Sequence, residues 1–262
     1  MYASGIPLYR PQTMLERYRY NCATLPSTTV MDALQTFLKA LESASILDKF
    51  VLLYAVADTD QSSRLNLISP GNATLIDAGT APTFVSGVGG AGGFTPNGAA
   101  MSTQTRFGPA VAAEPGAPVT LNSLCILYDS GTTGQDNNQD VGTGGTIHCR
   151  IRSTSDISNG RICDATTETI ATGTTDGSGL FGFERDSSTN KVVYRNGSAV
   201  GNVTRASAAS GAATIFLFGS AATSNISTRR CRLLAVSSAL GATAHSTFNT
   251  AWAAYKTAIG CT

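Results

Sequence analysis

KVVYRNGSAVGNV, residues 191–203, contains two predicted β-strands and the tight turn between them. The segment VVY before the turn is made of residues that strands favour, and two further valines indicate a second strand after it. Asn196 and Gly197 lie between the two strands and are the residues that most readily adopt a positive φ, as a type I′ turn requires. The stretch therefore predicts a β-hairpin.

The same strand pattern continues along most of the chain from Lys49 onward. Turn residues separate the segments at intervals of about 8–12 residues, which is typical of a β-sandwich or jelly roll. The long helices that a parallel sheet needs between its strands do not occur in the pattern. The predicted strand segments are 49–57, 63–70, 73–79, 121–128, 146–152, 161–167, 180–186, 191–203, 214–220 and 229–238.

Two helices are predicted on either side of these strands. An apolar stripe at helical spacing predicts a helix over residues 29–43, with Thr28 or Thr29 as its N-cap. A second helix near the end of the sequence should terminate at Gly260. Its apolar stripe consists of Ala244, Phe248, Trp252, Tyr255 and Ile259. The predicted fold is mainly β, an antiparallel β-sandwich with a helix before it and a short C-terminal helix.

Composition narrows the function classes. Charged residues make up 13% of the 262 residues and the net charge is +1, with Arg229, Arg230 and Arg232 as the one basic cluster, so we expect no nucleic-acid partner. The first twenty residues lack the apolar core of a signal peptide. No apolar run reaches the length of about 18 residues that a membrane span needs. We therefore expect synthesis in a cytoplasm and no membrane insertion.

The chain divides into a short arm, residues 1–27, and a domain, residues 28–262, that contains the first helix and the sandwich. The arm is rich in tyrosine and arginine and has no sustained periodicity, so it is either an anchor laid against another molecule or a terminus without fixed structure. The candidate anchor residues are Tyr9, Arg10, Tyr18, Arg19 and Tyr20.

No catalytic or cofactor-binding motif is recognisable. Residues 87–92 fit G-x-G-x-x-G, but Pro96 prevents the helix that a dinucleotide site requires. A glycan-cleaving enzyme would need paired carboxylates, for which Asp58 with Asp60 and Glu184 with Asp186 are the candidates. Both pairs lie at strand ends, where solvated turn residues are common, and no third acid completes an E-x-D-x-x-E pattern, so this alternative is disfavoured.

The two histidines offer no clearer site. His148 adjoins Cys149, but neighbouring strand residues point to opposite faces. His245, in the first turn of the last helix, is predicted to be solvated. The sequence thus predicts no catalytic residue and no enzyme.

No metal site is predicted either, because neither C-x-x-C nor H-x₃-H spacing occurs. A weak calcium alternative uses Asp129, Asp136 and Asp140 from the polar loop that follows residue 128. The spacing of these acids fits no regular calcium loop, so a solvated loop is the preferred interpretation.

Six cysteines leave a choice between free thiols and disulfides. Cytoplasmic synthesis favours free thiols, and Cys125 and Cys231 lie in apolar strands, as small buried residues do. Cys22 and Cys261 lie near the two ends of the sequence, where we expect them to be exposed and able to cross-link to a neighbour. Cys149 and Cys163 flank a segment that can form a hairpin and bring them together.

A wider similarity emerges from two long segments. ISTRRCRLLAVSSALGATAHSTFNTAWAAYKTAIG, residues 226–260, follows the hairpin and TIFLFGS, while RLNLISPGNATLIDAGTAPTFVSGVGGAGGFTPNG, residues 64–98, follows a helix and the strand KFVLLYAVA. This order of elements resembles tailed-bacteriophage virion proteins that carry a concanavalin A-like, laminin G-like jelly roll. The resemblance covers roughly residues 28–260; the six cysteines and the first 26 residues depart from it.

The resemblance implies a non-enzymatic structural component of a phage virion, in a head decoration, collar, tail or fibre. Its partners would be other virion proteins and copies of itself, with the arm as anchor and the jelly roll facing outward. The alternative is a carbohydrate-binding module that attaches to host-surface glycans. That alternative requires an exposed aromatic ring, for which Tyr128, Tyr194 and Trp252 are the candidates, although Trp252 fits the helix core better.

Overall fold

The computed structural model shows a β-sandwich with helices packed on one of its faces. The residues that it describes are 13–70, 74–103, 119–131, 138–143, 147–151, 156–163, 168–172, 176–208, 215–219 and 225–261. Helices α1 (Met14–Asn21) and α2 (Thr28–Ser43) precede the strands, α3 (Asp60–Ser63) is a single turn, and α4 (Ala242–Ile259) follows them. In the described part of the chain, no helix combines the length and the apolar character needed to cross a membrane.

The strands form two antiparallel sheets. Sheet A contains β1 (Phe50–Ala55), β3 (Thr83–Val85), β4 (Gly93–Thr95), β6 (Leu124–Ser130), β11 (Gly179–Arg185), β12 (Asn190–Arg195), β13 (Ser198–Thr204) and β15 (Cys231–Ser237). Sheet B contains β2 (Leu75–Asp77), β5 (Met101–Thr103), β7 (Val141–Gly142), β8 (Ile147–Ile151), β9 (Asp156–Ile162), β10 (Glu168–Thr172) and β14 (Phe216–Leu217). The predicted fold class is confirmed.

Strand β15 lies in the middle of sheet A. The order of the sheet is β13-β12-β11-β6-β15-β4-β3, and β1 also pairs with β15. Strand β6 pairs with one edge of β15. The other edge is shared, because β1 pairs with residues 233–237 of β15 and β4 pairs with Cys231 alone. Strand β15 therefore joins segments from the whole length of the chain.

The hairpin at 191–203 forms as predicted. Strands β12 and β13 are antiparallel neighbours, and Asn196 and Gly197 between them have φ values of 48° and 83°. Such positive values suit the primed turns that match the twist of a hairpin.

The central strands of sheet A are buried on both faces, which gives the molecule three layers, whereas the edge strand β13 is largely exposed. Along β6, Leu124, Ile126 and Tyr128 point into the core between the two sheets, while Cys125 and Leu127 point into a second core beneath the helices. This is the two-residue alternation of a strand, with both faces covered. The helices α2 and α4 supply the outer wall of the second core. One broad face of the sandwich is thus closed to solvent.

Part of the predicted arm belongs to that second core. Helix α1 starts with a capping box between Thr13 and Glu16, and the Tyr18 side chain is buried and donates from its hydroxyl to the Ser62 carbonyl at 2.9 Å. The anchor prediction is therefore wrong for Tyr18. Arg19 and Tyr20 are exposed and remain candidates, whereas Tyr9 and Arg10 lie outside the described residues.

Helix α2 matches the predicted helix within a residue at its start, but its N-cap is Ser27 rather than Thr28 or Thr29. The Ser27 side chain accepts from the Val30 N–H, and its own N–H donates to Asp58 at 2.5 Å. Helix α4 ends at Gly260 with φ 71°, as predicted, and its whole apolar stripe is buried.

Candidate functional site

The structure brings Cys125, Glu184 and His245 together beneath the start of α4. Cys125 comes from β6, Glu184 from β11 and His245 from the first turns of α4. The Cys125 Sγ lies 3.8 Å from the His245 Nε2, which lies 2.9 Å from the Glu184 Oε2. We call these three residues the β6–β11–α4 cluster. All three are fully buried, so the predictions of a solvated His245 and a solvated Glu184 are wrong.

The burial of His245 has a clear cause. Its imidazole ring stacks on the Tyr194 ring with centroids 3.7 Å apart, and Gly182 lies against its other atoms. A Cβ at Gly182 would lie 2.4 Å from the His245 Cε1, so the ring fits only over a glycine. Helix α4 is thereby held in one register on sheet A.

Glu184 acts as the cap of α4 from a distant strand. The N-cap residue, Gly241, has no capping side chain, and Glu184 accepts from the N–H groups of Leu240 at 2.7 Å and Gly241 at 3.1 Å. Burial alone would raise the pKa of Glu184, but the hydrogen bond and charge of His245, with these two N–H groups, hold it below its ordinary value. Glu184 and Cys125 both interact with the same atom of His245, its Nε2, so the cluster lacks the histidine of a nucleophilic triad, which uses both ring nitrogens.

The weak calcium alternative involves residues that form ion pairs with different basic side chains. Asp129 accepts from Trp252 at 2.9 Å and forms ion pairs with Arg232 at 2.9 Å and Lys256 at 3.2 Å. Asp140 instead pairs with Arg229 at 3.1 Å, and Asp136 lies outside the described residues. Asp129 and Asp140 are fully buried and each is neutralised by arginine, which is a reason for their burial that requires no calcium.

All six cysteines are buried, and each carries a thiol rather than a disulfide. The expectation that Cys22 and Cys261 are exposed is wrong because α1 and the end of α4 pack into the second core. Burial, followed by the charge of Asp58, raises the pKa of Cys22 to about 11. Cys149 and Cys163 do lie in the same core between the sheets, on the paired strands β8 and β9 or next to them.

The three aromatic residues predicted for glycan stacking are all buried. Tyr128 lies between the sheets, Tyr194 stacks on His245, and Trp252 packs in the second core as its helical stripe predicted. The requirement for an exposed ring therefore fails at these positions. The glycine-rich loop, residues 86–92, connects β3 to β4 rather than a strand to a helix, which fits the rejection of a dinucleotide site.

An accessible polar group that the sequence analysis missed lies where β11 begins and β12 ends. Ser178 donates to the Asp176 carboxylate from its N–H and from its hydroxyl, both at 2.8 Å, and the Arg195 Nη2 bonds Asp176 at 3.2 Å and the Ser178 carbonyl at 3.0 Å. The Arg195 guanidinium lies over the Phe181 ring, and its Nε has no hydrogen-bond partner among the described residues. We call Asp176, Ser178 and Arg195 the strand-end site.

The strand-end site is charged, ordered and open. About half of the Asp176 side chain is exposed, at 47%, against 23% for Arg195. The hydrogen bond from the Ser178 N–H is the main reason that the pKa of Asp176 lies below its ordinary value, and the charge of Arg195 adds to it. No motif spacing marks this site in the sequence, because Asp176 and Arg195 meet only once β11 and β12 pair.

Comparisons with known proteins bear on the fold. No family model matches the sequence, and no curated protein matches it. Among solved structures, a mutant of Trypanosoma rangeli sialidase displaying trans-sialidase activity matches with a TM-score of 0.56 at 9% identity, over 86% of this chain and 39% of that one. Trypanosoma rangeli sialidase in complex with the inhibitor DANA matches with a TM-score of 0.51 at 9% identity, over 84% and 38%.

A carbohydrate-binding module of Ruminococcus gnavus, the CBM40 of its IT-sialidase bound to α2,3-sialyllactose, matches more loosely. Its TM-score is 0.39 at 12% identity, over 55% of this chain and 88% of that one, which is too low to argue from. The chain spans about two fifths of the length of the two sialidases. At these identities the likeness shows a shared fold and nothing more, so the comparisons support the β-sandwich of the resemblance and not its phage origin.

Proposed function

We propose that this chain is a non-enzymatic carbohydrate-binding module, displayed on a phage particle, that binds glycans at the strand-end site. The observation that carries the proposal is the exposed, pre-organised group of Asp176, Ser178 and Arg195 at one end of sheet A. A fold alone does not define a function, so the site has to carry the argument.

The chemistry of the strand-end site suits sugar hydroxyls. The Asp176 carboxylate accepts hydrogen bonds and the Arg195 guanidinium donates them, and two neighbouring hydroxyls of a sugar ring can satisfy both at once. Ser178 holds the carboxylate in place from two sides, so little order has to be gained on binding. Because Tyr128, Tyr194 and Trp252 are buried, we expect the glycan to be bound by hydrogen bonds rather than by stacking on an aromatic ring.

The rest of the surface supports this location. Helices cover one face of the central strands of sheet A and sheet B covers the other, so a ligand of these strands has to approach one of their ends. The β6–β11–α4 cluster does bring a carboxylate, an imidazole and a thiol together. All three groups are buried, so a polymeric substrate cannot reach them. This enclosure supports binding without cleavage.

A glycan array probed with the purified chain tests the proposal. Asp176→Asn and Arg195→Lys should each weaken binding about tenfold or more, since a hydrogen bond to a charged group contributes about 1.5–3 kcal/mol. Asp186→Asn, which changes an exposed acid bonded to Asn190 instead, should leave binding unchanged. Failure of the wild-type chain to bind any glycan, or equal binding by all variants, would contradict the proposal.

The low pKa of Asp176 gives the same site a pH signature. A carboxyl whose pKa is lowered stays ionised as the pH falls, and its contribution is lost only when the pH passes below the lowered value. Glycan affinity should therefore be constant from pH 7 down to about 4.5, which is still above the ordinary range of an aspartate. Binding measured by calorimetry across this range checks the expectation, and a loss centred near pH 6 would assign the interaction to another group.

The phage particle is the proposed setting because the resemblance over residues 28–260 implies it and because Arg19 and Tyr20 on α1 face solvent, with Tyr20 81% exposed. Mass spectrometry of purified particles should find the chain. On a non-reducing gel it should run as a single band near 27 kDa, since all six thiols are buried. Absence from the particles would remove the virion setting and leave the glycan proposal to its own test.

A further inference from the structure

The β6–β11–α4 cluster has more donor atoms than a helix cap needs. Cys125 supplies a sulfur, His245 a nitrogen and Glu184 two carboxylate oxygens, and the ligand atoms of the three residues lie within 4.8 Å of one another. A cap requires only the two Glu184 oxygens that accept from Leu240 and Gly241. The Cys125 sulfur, from β6, and the His245 nitrogen, from α4, lie close to the Glu184 carboxylate as well.

The distances suit a small, borderline-soft cation. Zinc binds sulfur at about 2.3 Å and nitrogen or oxygen at about 2.0–2.2 Å, so two ligands of one ion lie roughly 3–4 Å apart. The observed separation of sulfur and nitrogen, 3.8 Å, lies in that range. Nitrogen and oxygen are at hydrogen-bond distance, 2.9 Å, and would have to move slightly apart to bind one ion. A thiolate and an imidazole in one site favour zinc over calcium or magnesium, which prefer oxygen ligands.

The charge balance of the site permits an ion. The fully buried Glu184 carboxylate bonds His245 and the N–H groups of Leu240 and Gly241, and an ion would take the place of its contact with His245. A divalent ion with one carboxylate and one thiolate has no net charge, which removes most of the electrostatic cost of burial.

The surrounding residues hold the donors as metal sites require. Metal ligands are usually oriented by a second layer of hydrogen bonds and packing. Here the N–H groups of Leu240 and Gly241 fix the Glu184 carboxylate, while Tyr194 and Gly182 fix the His245 ring from two sides.

We propose that Cys125, Glu184 and His245 form a structural zinc site that fastens the start of α4 to β6 and β11. With both Glu184 oxygens as ligands, the sulfur, the nitrogen and the two oxygens make four donor atoms in a fully enclosed site. This makes the site structural, because a catalytic zinc keeps a position open to water or substrate. On binding, zinc displaces the thiol proton of Cys125, and His245 binds through Nε2 with its own proton on Nδ1. This site is separate from the strand-end site and does not depend on glycan binding.

Zinc itself is the probe for the first experiment. The full chain, purified after expression with added zinc and then dialysed, should contain about one zinc per chain by elemental analysis. Replacement by cobalt should give the near-ultraviolet charge-transfer absorption of a thiolate bound to the metal. Removal of zinc with a strong chelator should lower the melting temperature by on the order of 10 °C.

Two variants separate the site from general thiol binding. Cys125→Ser should lose the charge-transfer band and most of the bound zinc. Cys231→Ser, which changes another fully buried thiol of sheet A, should retain both. If Cys125→Ser does not fold, the wild-type cobalt spectrum and the chelator experiment still decide. A zinc-free wild-type chain with an unchanged melting temperature would overturn the proposal, as would full zinc binding by Cys125→Ser.

Discussion

Helices α2 and α4 cover the same face of sheet A, but they are held there by different interactions. Helix α2 contributes apolar residues to the second core, among them Phe37, whose ring contacts three aromatic side chains of α4. Helix α4 has such a stripe as well, but it is also bound by buried carboxylates of the sheet. Glu184 binds its first turn, and Asp129 binds Trp252 and Lys256 near its end.

The difference shows what each kind of interaction determines. Apolar burial selects the face of a helix that meets the sheet. The free energy of this burial changes little when the helix shifts slightly along its axis, because the hydrophobic effect is not directional. Hydrogen bonds and ion pairs at two points, with donor and acceptor atoms about 3 Å apart, fix the register. Helix α4 is registered on sheet A by residues of β6 and β11, whereas α2 is placed mainly by packing against α4.

The largest effect should come from breaking the polar contact at the end of α4. Asp129→Asn removes the charge that neutralises Arg232 and Lys256, and loss of one member of a buried ion pair costs about 3–5 kcal/mol. Urea unfolding measures the loss. Asp32→Asn, at an exposed position of α2, is the matched control and should change stability by less than about 0.5 kcal/mol. Equal stability of the two variants would mean that the contact contributes nothing.

A smaller effect is expected at the start of α4. Gly182→Ala places a Cβ 2.4 Å from the His245 Cε1 and 3.1 Å from a Leu127 methyl, and the Tyr194 ring prevents His245 from moving away. Overpacking of this kind costs about 1–3 kcal/mol. Gly90→Ala, where the nearest atom is 3.9 Å away, should cost much less in the same thermal unfolding assay. A stable Gly182→Ala chain would show that α4 can shift on the sheet.

Helix α2 should respond less to a change of shape. Phe37→Leu keeps an apolar side chain of similar size but loses the ring contacts with Phe248, Trp252 and Tyr255, so we expect a loss of about 1–1.5 kcal/mol. Met31→Leu, at a half-buried position of the same helix, is the control and should change the free energy of unfolding less in the same urea experiment. A loss above that of Asp129→Asn would reverse the comparison between the two helices.

The smallest change concerns the start of α2. Ser27→Ala removes the side chain that accepts from the Val30 N–H, and a lost N-cap costs about 0.5–2 kcal/mol. The bond is long, at 3.4 Å, so a value near the lower limit is expected. Ser27→Gly should cost only a few tenths of a kcal/mol by the same principle. If Ser27→Ala is as stable as the wild-type chain, the cap makes no contribution here.

The elements that depend on near neighbours could be predicted from the sequence. The stripe from Ala244 to Ile259, the turn at Asn196 and Gly197 and the two-sheet fold follow from periodicities of 3.6 and 2 and from turn chemistry. The burial of His245 could not be predicted, because it depends on Glu184, 61 residues earlier, and on Cys125, 120 residues earlier.

The same limit applies to both polar sites. The sequence predicts a solvated loop at Asp129, since the partners that bury it, Arg232 and Lys256, are more than 100 residues away. The strand-end site needs the pairing of β11 with β12 to bring Asp176 to Arg195. Periodicity tells which face of an element is apolar, but it does not tell which distant polar group will meet a given residue.

The central place of β15 has a consequence for the order in which the molecule is built during synthesis. Strands β8, β9 and β10, and likewise β11, β12 and β13, pair with their neighbours in sequence, so each set can form as soon as it leaves the ribosome. Strand β1 has no partner until residues 231–237 have been made. Strands β4 and β6 can pair earlier with β3 and β11, but one edge of each stays unpaired until then. A nascent chain that ends before β15 would thus expose the unpaired edges of β1, β4 and β6. Such distant pairings slow folding and extend the period in which a chain is prone to aggregate.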